Sequence, residues 1–297
     1  MVYVANTASK LSQSNLSKIH LPASKESPAL LDVTETSVIE LEQTEHWLTI
    51  WFNQPEIRNP LTDELRAELV SVLGRCRDDN RIRGITLRGR GGIFCAGGDL
   101  KSFRSLASGE KSRESILEMS TDIGDLLATV NTMPQAVLAV VEGAAMAGGF
   151  GLACCADVVI CQRSAKFAMT ETAIGLSPAQ IAPYAIQKLG YSTARRLMVT
   201  AARFNGDEAH DLGFADFIAD DAEGLLEHEL ALRRTVLQCA PGAVADTKRL
   251  LHGLQSRDRR TVIDYAAANF ADRVENAEAL EGISAFFDKR KPSWVVQ

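Results

Sequence analysis

Two glycine clusters, FCAGGDL (94–100) and AMAGGFGL (145–152), constrain this 297-residue chain more than any other feature, because each follows an apolar, strand-like run. Glycine at such a junction lets backbone approach a ligand closely, and the first N–H groups of a helix have no intrahelical partner. Two such turns offer two donors, one of them backed by a helix dipole. A pair aimed at one point can stabilise charge on a carbonyl oxygen, whereas either turn alone reads equally as turn chemistry or close packing. Neither cluster reads GxGxxG with a suitably placed acid after it, which disfavours a dinucleotide site, and the missing GKS or GKT excludes a P-loop.

The segments around the clusters alternate between strand and helix patterns. SVIELE and WLTIWF flank QTEH as a hairpin, Thr62 with Asp63 and Glu64 opens a helix ending near Asp79, and GITLRG (84–89) forms a short strand. The pattern repeats with a helix over 112–131, the strand AVLAVVEG (136–143), a second glycine turn, DVVIC (157–161) and AKFAM (165–169). Two passes of strand, glycine turn and helix predict an α/β core with parallel strands. From about 221 the chain is almost wholly helical, with candidates at 221–239, 242–254, 258–273 and 275–288. The expected organisation is an N-terminal extension over 1–32, a core over 33–220 and a helical subdomain over 221–297. A targeting role for the extension is disfavoured, since it contains no Arg.

Net charge is −6, with Lys and Arg interspersed among acids, so the electrostatic footprint of a nucleic-acid binder is absent. The six cysteines show no zinc spacing and sit mostly in apolar stretches, which predicts buried free thiols, a reducing compartment and no metal. No apolar run suggests a transmembrane helix; a soluble, cytoplasmic protein is expected, with mitochondria the open alternative.

IFCAGGDL resembles the crotonase pattern F-x-A-G-x-D-L, and VVEGAAMAGGFGLACCADVVI resembles the second signature of that superfamily, the enoyl-CoA hydratases and isomerases. PEIRNPLT (55–62), AKFAMTETAIGL (165–176) and EGISAFFDKRKPSW (281–294) extend the likeness over roughly 35–294. It implies a spiral of ββα repeats with a helical C-terminal subdomain, assembled as trimers or dimers of trimers. The oxyanion donors it implies are the N–H groups of Gly98, after Ala96 and Gly97, and of Gly148. Of the two glutamates used by the best-known hydratases, the first position is Gly151 here and the second is Glu171. Arg58, Phe286 and Lys289 match positions that contact coenzyme A, the last two on a helix that reaches a neighbouring subunit's ligand in many relatives; Lys101, after the first glycine turn, is a further candidate, and Ala96 and Gly151 are also expected to line the substrate site. No cofactor is implied, because coenzyme A is part of the substrate.

The resemblance implies hydration of a 2-enoyl-CoA through a single glutamate. The segment ETAIGLSPAQIAPYAI (171–186) looks closer to hydratases of branched glutaconyl-CoA esters, the methylglutaconyl and isohexenylglutaconyl types, which also tend to have glycine at 151. The rival is an isomerase with Glu171 as proton shuttle, and a third reading is a non-catalytic binding protein of the same fold. RNA binding is disfavoured, since the helix TDELRAELVSVLGRCRDDN mixes acids with arginines. Ala179 stands where a dehalogenase of this fold would place its aspartate.

Overall fold

A computed structural model describes residues 38–99, 104–105, 108–109, 111–255 and 257–295; the expected extension over 1–32 and Lys101 lie outside the described residues. Strands β1 (Ile39–Thr44) and β2 (Trp47–Phe52) pair antiparallel, with Glu45 and His46 as the turn between them. Strands β3 (Gly84–Gly89), β4 (Ala136–Val141), β6 (Val158–Gln162) and β9 (Phe217–Ala219) continue this sheet in parallel, in the order β1-β2-β3-β4-β6-β9. All six residues of β3 and of β4 are buried, which is why both read as unbroken rather than alternating patterns.

A second, smaller sheet takes β5 (Ala144–Met146), β7 (Lys166–Ala168) and β8 (Arg203–Asn205), with β5 and β7 parallel and β8 antiparallel to β7. The chain visits the two sheets alternately. After β3 it reaches Cys95, which bridges Ala145; after β4 it forms β5; after β6 it forms β7. That repetition is the crotonase-type spiral, and it sets one end of the smaller sheet where several loops emerge together.

Helices cover the sheets. α1 (Asp63–Arg77) starts at Thr62, whose hydroxyl accepts the Leu65 N–H at 3.1 Å, and buries Leu65, Leu69, Val72 and Leu73. α2 (Arg113–Asn131) starts at Ser112 in the same way. α3 (Gly148–Cys154) follows β5, and α4 (Ala182–Leu189), α5 (Tyr191–Thr200) and α6 (Gly206–Asp211) lie between β7 and β9. Four phenylalanines join these parts: Phe150 of α3 stacks on Phe214 at 4.5 Å and meets Phe167 of β7 edge-on at 6.4 Å, while Phe204 of β8 stacks on Phe167 at 5.4 Å. Each such pair contributes about 0.5–1.5 kcal/mol beyond area burial, and together they tie α3 to β7.

The C-terminal helices are α7 (Ala222–Gln238), α8 (Pro241–Gln255), α9 (Arg259–Val274) and α10 (Ala277–Phe287). α7 packs on the large sheet through Leu225, against Val140, Ile160 and Ala219. A buried ionic network reinforces that contact. Glu229 accepts from Arg88 of β3 at 3.2 Å and from Arg233, which also donates to Thr49 of β2 at 2.8 Å. Lys248 of α8 donates to Asp157 at 2.6 Å and to the Gln135 carbonyl at 2.8 Å; Asp157 in turn accepts the Val137 N–H at 2.7 Å. Asp157 therefore joins a helix to the sheet, and Glu142 pairs with Arg88 at 2.9 Å.

Five cysteines are buried free thiols, and only Cys239 is exposed. Burial pushes Cys76 up to about 11 and Cys95 and Cys161 up to about 12, so these thiols stay protonated at neutral pH and are poor nucleophiles. Among the described residues no helix is long and apolar enough to cross a membrane.

Candidate active site

Cys95, Ala145 and Phe167 stand in one register line, because Cys95 bridges Ala145 in parallel and Ala145 pairs with Phe167 in parallel. Gly98 and Gly148 each lie three residues beyond that line and Glu171 four, so all three leave the smaller sheet at the same end. Among the described residues neither the Gly98 nor the Gly148 N–H is bonded to an acceptor. The Gly148 donor is the first N–H of α3 and has no intrahelical partner by construction.

The two turns touch backbone to backbone. A Cβ on Gly97 would stand 2.7 Å from the Met146 carbonyl oxygen, and a Cβ on Gly149 would stand 2.6 Å from that of Cys95. Gly97 also has φ of +96°, a conformation that glycine alone adopts without strain. Leu61 links the donors: its N–H donates to the Gly97 carbonyl at 2.8 Å, it bridges Gly98, and its Cδ1 would meet a Cβ on Gly148 at 3.0 Å. Ala147, just before the helix, has φ of 47° and ψ of −119°. A non-glycine residue in that region costs roughly 1–3 kcal/mol and persists only where its surroundings impose it. Here the Ala147 N–H donates to the Ala168 carbonyl at 2.8 Å and its carbonyl accepts from Gly151 at 3.0 Å, which fixes the direction of the Gly148 N–H.

Glu171 begins a short 3-10 turn, Glu171–Ile174, right after β7. Its side chain is half-buried, and among the described residues its buried Oε2 has no hydrogen-bond partner. Loss of hydration disfavours the ionised form, so burial raises its pKa above the usual glutamate value. The turn is held by the Leu176 N–H, which donates to the Glu171 carbonyl at 2.9 Å, and by the Thr172 hydroxyl, which donates to Met198 of α5 at 2.8 Å. A buried, unpartnered carboxylate oxygen is costly to stability and is a mark of a group kept for chemistry.

Ala96 and Arg58 belong to the same loop cluster, since the Ala96 N–H donates to the Arg58 carbonyl at 3.0 Å. Asn59, fully buried, pins that segment: its Oδ1 accepts from Gln54 at 2.8 Å and its Nδ2 donates to Arg90 at 3.0 Å and Ile93 at 2.6 Å. The Arg58 side chain is thereby left exposed beside the turn. Phe286 and Lys289 are elsewhere: Phe286 is 79% exposed on α10, and among the described residues no hydrogen bond or ring contact joins either to the glycine turns.

Gly151 lies in the first turn of α3, and the space beside it is occupied. A Cβ there would stand 2.2 Å from Cγ2 of Ile181, a residue 3% exposed at the start of α4. Neither Ile181 nor Leu61 stands out in the sequence, because an apolar residue before a helix or after a proline carries no sign of what it packs on.

The sequence model of the enoyl-CoA hydratase/isomerase family matches residues 42–297. The chain belongs to that family. A protein of Thermus thermophilus named as an enoyl-CoA hydratase is 33% identical over 83% of this chain and 96% of its own length. The human enoyl-CoA hydratase domain-containing protein 2, mitochondrial, is 31% identical over 83% of this chain and 84% of its own. Among solved structures, AtuE of Pseudomonas aeruginosa superposes with a TM-score of 0.84 at 41% identity, covering 88% of this chain and 100% of that one. The chain is thus an enoyl-CoA hydratase/isomerase-type enzyme with an acyl-CoA substrate and the fold implied by its sequence resemblance.

Proposed function

We propose that the enzyme hydrates a 2-enoyl-CoA, with the N–H groups of Gly98 and Gly148 holding the thioester oxygen and Glu171 as the only acid–base group. The observation that carries this reading is the buried Oε2 of Glu171, without a partner among the described residues and four residues beyond the register line that also leads to both donors. Glu171 takes a proton from water as the oxygen adds at C3; the double-bond electrons move into the thioester, whose enolate oxygen rests on the two N–H groups. The same carboxyl then returns the proton to C2. Water is consumed and the carboxylate is regenerated, so one group serves as base and then acid. No separate cofactor takes part.

The branched glutaconyl-CoA class remains the proposed substrate. Its support is the 171–186 segment together with Gly151, which the packing of Ile181 makes one physical feature: the segment supplies the side chain that fills the space beside the glycine. Arg58 and Lys101 are proposed to meet the coenzyme A end. Phe286 and Lys289 are proposed to do so from a neighbouring subunit of a trimer or dimer of trimers, for which the exposed Ile263, Phe270, Phe286 and Phe287 supply apolar surface. Five buried free thiols suit a reducing compartment, and the cytoplasm is the one proposed.

Isomerisation by the same glutamate, moving a proton between C2 and C4, is the competing chemistry. Incubation with crotonyl-CoA, methylglutaconyl-CoA and a 3-enoyl-CoA in oxygen-18 water separates the two. Label in a 3-hydroxyacyl product is expected; unlabelled double-bond migration alone would establish the isomerase instead. The profile of kcat/KM against pH supplies a second check. A base must be ionised, and burial raises the Glu171 pKa, so activity should fall with acidity through a limb lying above an ordinary glutamate. A limb at the unperturbed value would mean that a different group titrates.

A further inference from the structure

In a helix each Cα–Cβ bond tilts toward the N-terminus, so a side chain at 151 would reach back toward the end of α3 where the Gly148 N–H emerges. That volume is taken by Ile181, whose Cγ2 and Cβ would lie 2.2 Å and 2.6 Å from a Cβ at 151. Ile181 is held firmly. The preceding Gln180 donates to Ser120 of α2 at 3.0 Å, the Ala182 N–H donates to Pro178 at 2.9 Å, and Ala185 donates to the Ile181 carbonyl at 3.0 Å. Branching at Cβ also restricts the Ile181 side chain to few rotamers, so it forms a wall rather than a gate.

We propose that Ile181 is a specificity-determining residue: it forms the apolar wall of the acyl cleft at the donor end of α3 and sets how much room a substituent at C3 of the acyl chain is given. The proposal rests on the acyl-CoA reading above, in which the thioester oxygen sits at the Gly148 N–H and C2 and C3 follow next to it. A hydrocarbon wall also offers no donor or acceptor to water, which leaves proton handling to Glu171. One methylene in an apolar pocket discriminates between ligands by roughly 10- to 200-fold, so trimming this wall has a measurable consequence.

The test uses saturated ligands, so that it does not depend on turnover. Dissociation constants for butyryl-CoA and 3-methylbutyryl-CoA are measured by calorimetry on the full chain and on Ile181→Leu and Ile181→Ala. The affinity for the branched ligand relative to the straight one is expected to rise about tenfold in Ile181→Ala, and in the same direction in Ile181→Leu, which removes the branch at Cβ that carries Cγ2. Should Ile181→Ala fail to fold, Ile181→Leu, which conserves side-chain volume, carries the test. A ratio unchanged within about twofold in the folded variants, with both ligands bound, removes the wall and leaves the acyl-CoA reading standing. If neither ligand binds the parent enzyme, that reading falls, and the wall with it.

Discussion

Glu171→Gln is expected to lower kcat by roughly 100- to 10,000-fold, the usual contribution of a positioned acid–base group, while leaving the affinity for a saturated acyl-CoA nearly unchanged. The amide preserves shape and the short turn after β7, and it removes only the capacity to accept and return a proton. Because neither proposed donor is altered, the thioester oxygen should still be held, and residual turnover should reflect the oxyanion hole alone. Steady-state kinetics beside calorimetric binding check this. A variant keeping more than about a tenth of parental kcat would show that another group moves the proton. Thermal unfolding across pH adds an independent reading. Burial raises the folded-state pKa of Glu171 above its unfolded value, so the ionised carboxylate is a cost to stability at neutral pH, and that cost is relieved as pH falls through the folded pKa. The variant should therefore be at least as stable as the parent at neutral pH, with its advantage shrinking in acid.

Glu229→Ala should cost about 3–5 kcal/mol of folding stability, because it takes the carboxylate from Arg233 and one of two carboxylates from Arg88, guanidinium groups that the fold has taken out of water. Glu229 is 1% exposed and answers both Arg88 and Arg233, whose side chains are themselves only 10% and 16% exposed. Arg88 keeps Glu142 as a partner, whereas Arg233 loses its only carboxylate among the described residues. For a chain of this size that loss corresponds to a fall in Tm of roughly 6–20 °C by scanning calorimetry. A shift of only about a degree would mean that water reaches the arginines once the carboxylate is gone.

Glu229 also shows where reading the sequence stops. It sits in ELALRRTVLQ with acids and arginines around it, a pattern indistinguishable from a solvated helix face, and its partner Arg88 is 141 residues away. The helices at 113–131, 222–238, 241–255, 259–274 and 277–287 agree with the periodicity to within two residues at each end, since apolar spacing is a local property. β5, β8 and β9 are three residues each, too short to display an alternation, and exist because a neighbouring strand completes them. Gly98, Gly148 and Glu171 were recognisable as candidates through the family resemblance, whose pattern of glycines at a strand end and a glutamate at a fixed spacing survives as letters. What stood beside Gly151 was not recognisable, since nothing in SPAQIAPYA announces that Ile181 folds back across α3.

The sequence alone determined the alternation of strand and helix, the two glycine turns and the family pattern that joins them, because each depends on residues close together along the chain. Tertiary structure decided that Cys95, Ala145 and Phe167 share one register line, that Ala147 is held in a strained conformation which aims the Gly148 N–H, and that Oε2 of Glu171 is buried without a partner among the described residues. Those facts depend on which distant segments are packed together, and burial and hydrogen-bond satisfaction become defined only once the spiral has closed.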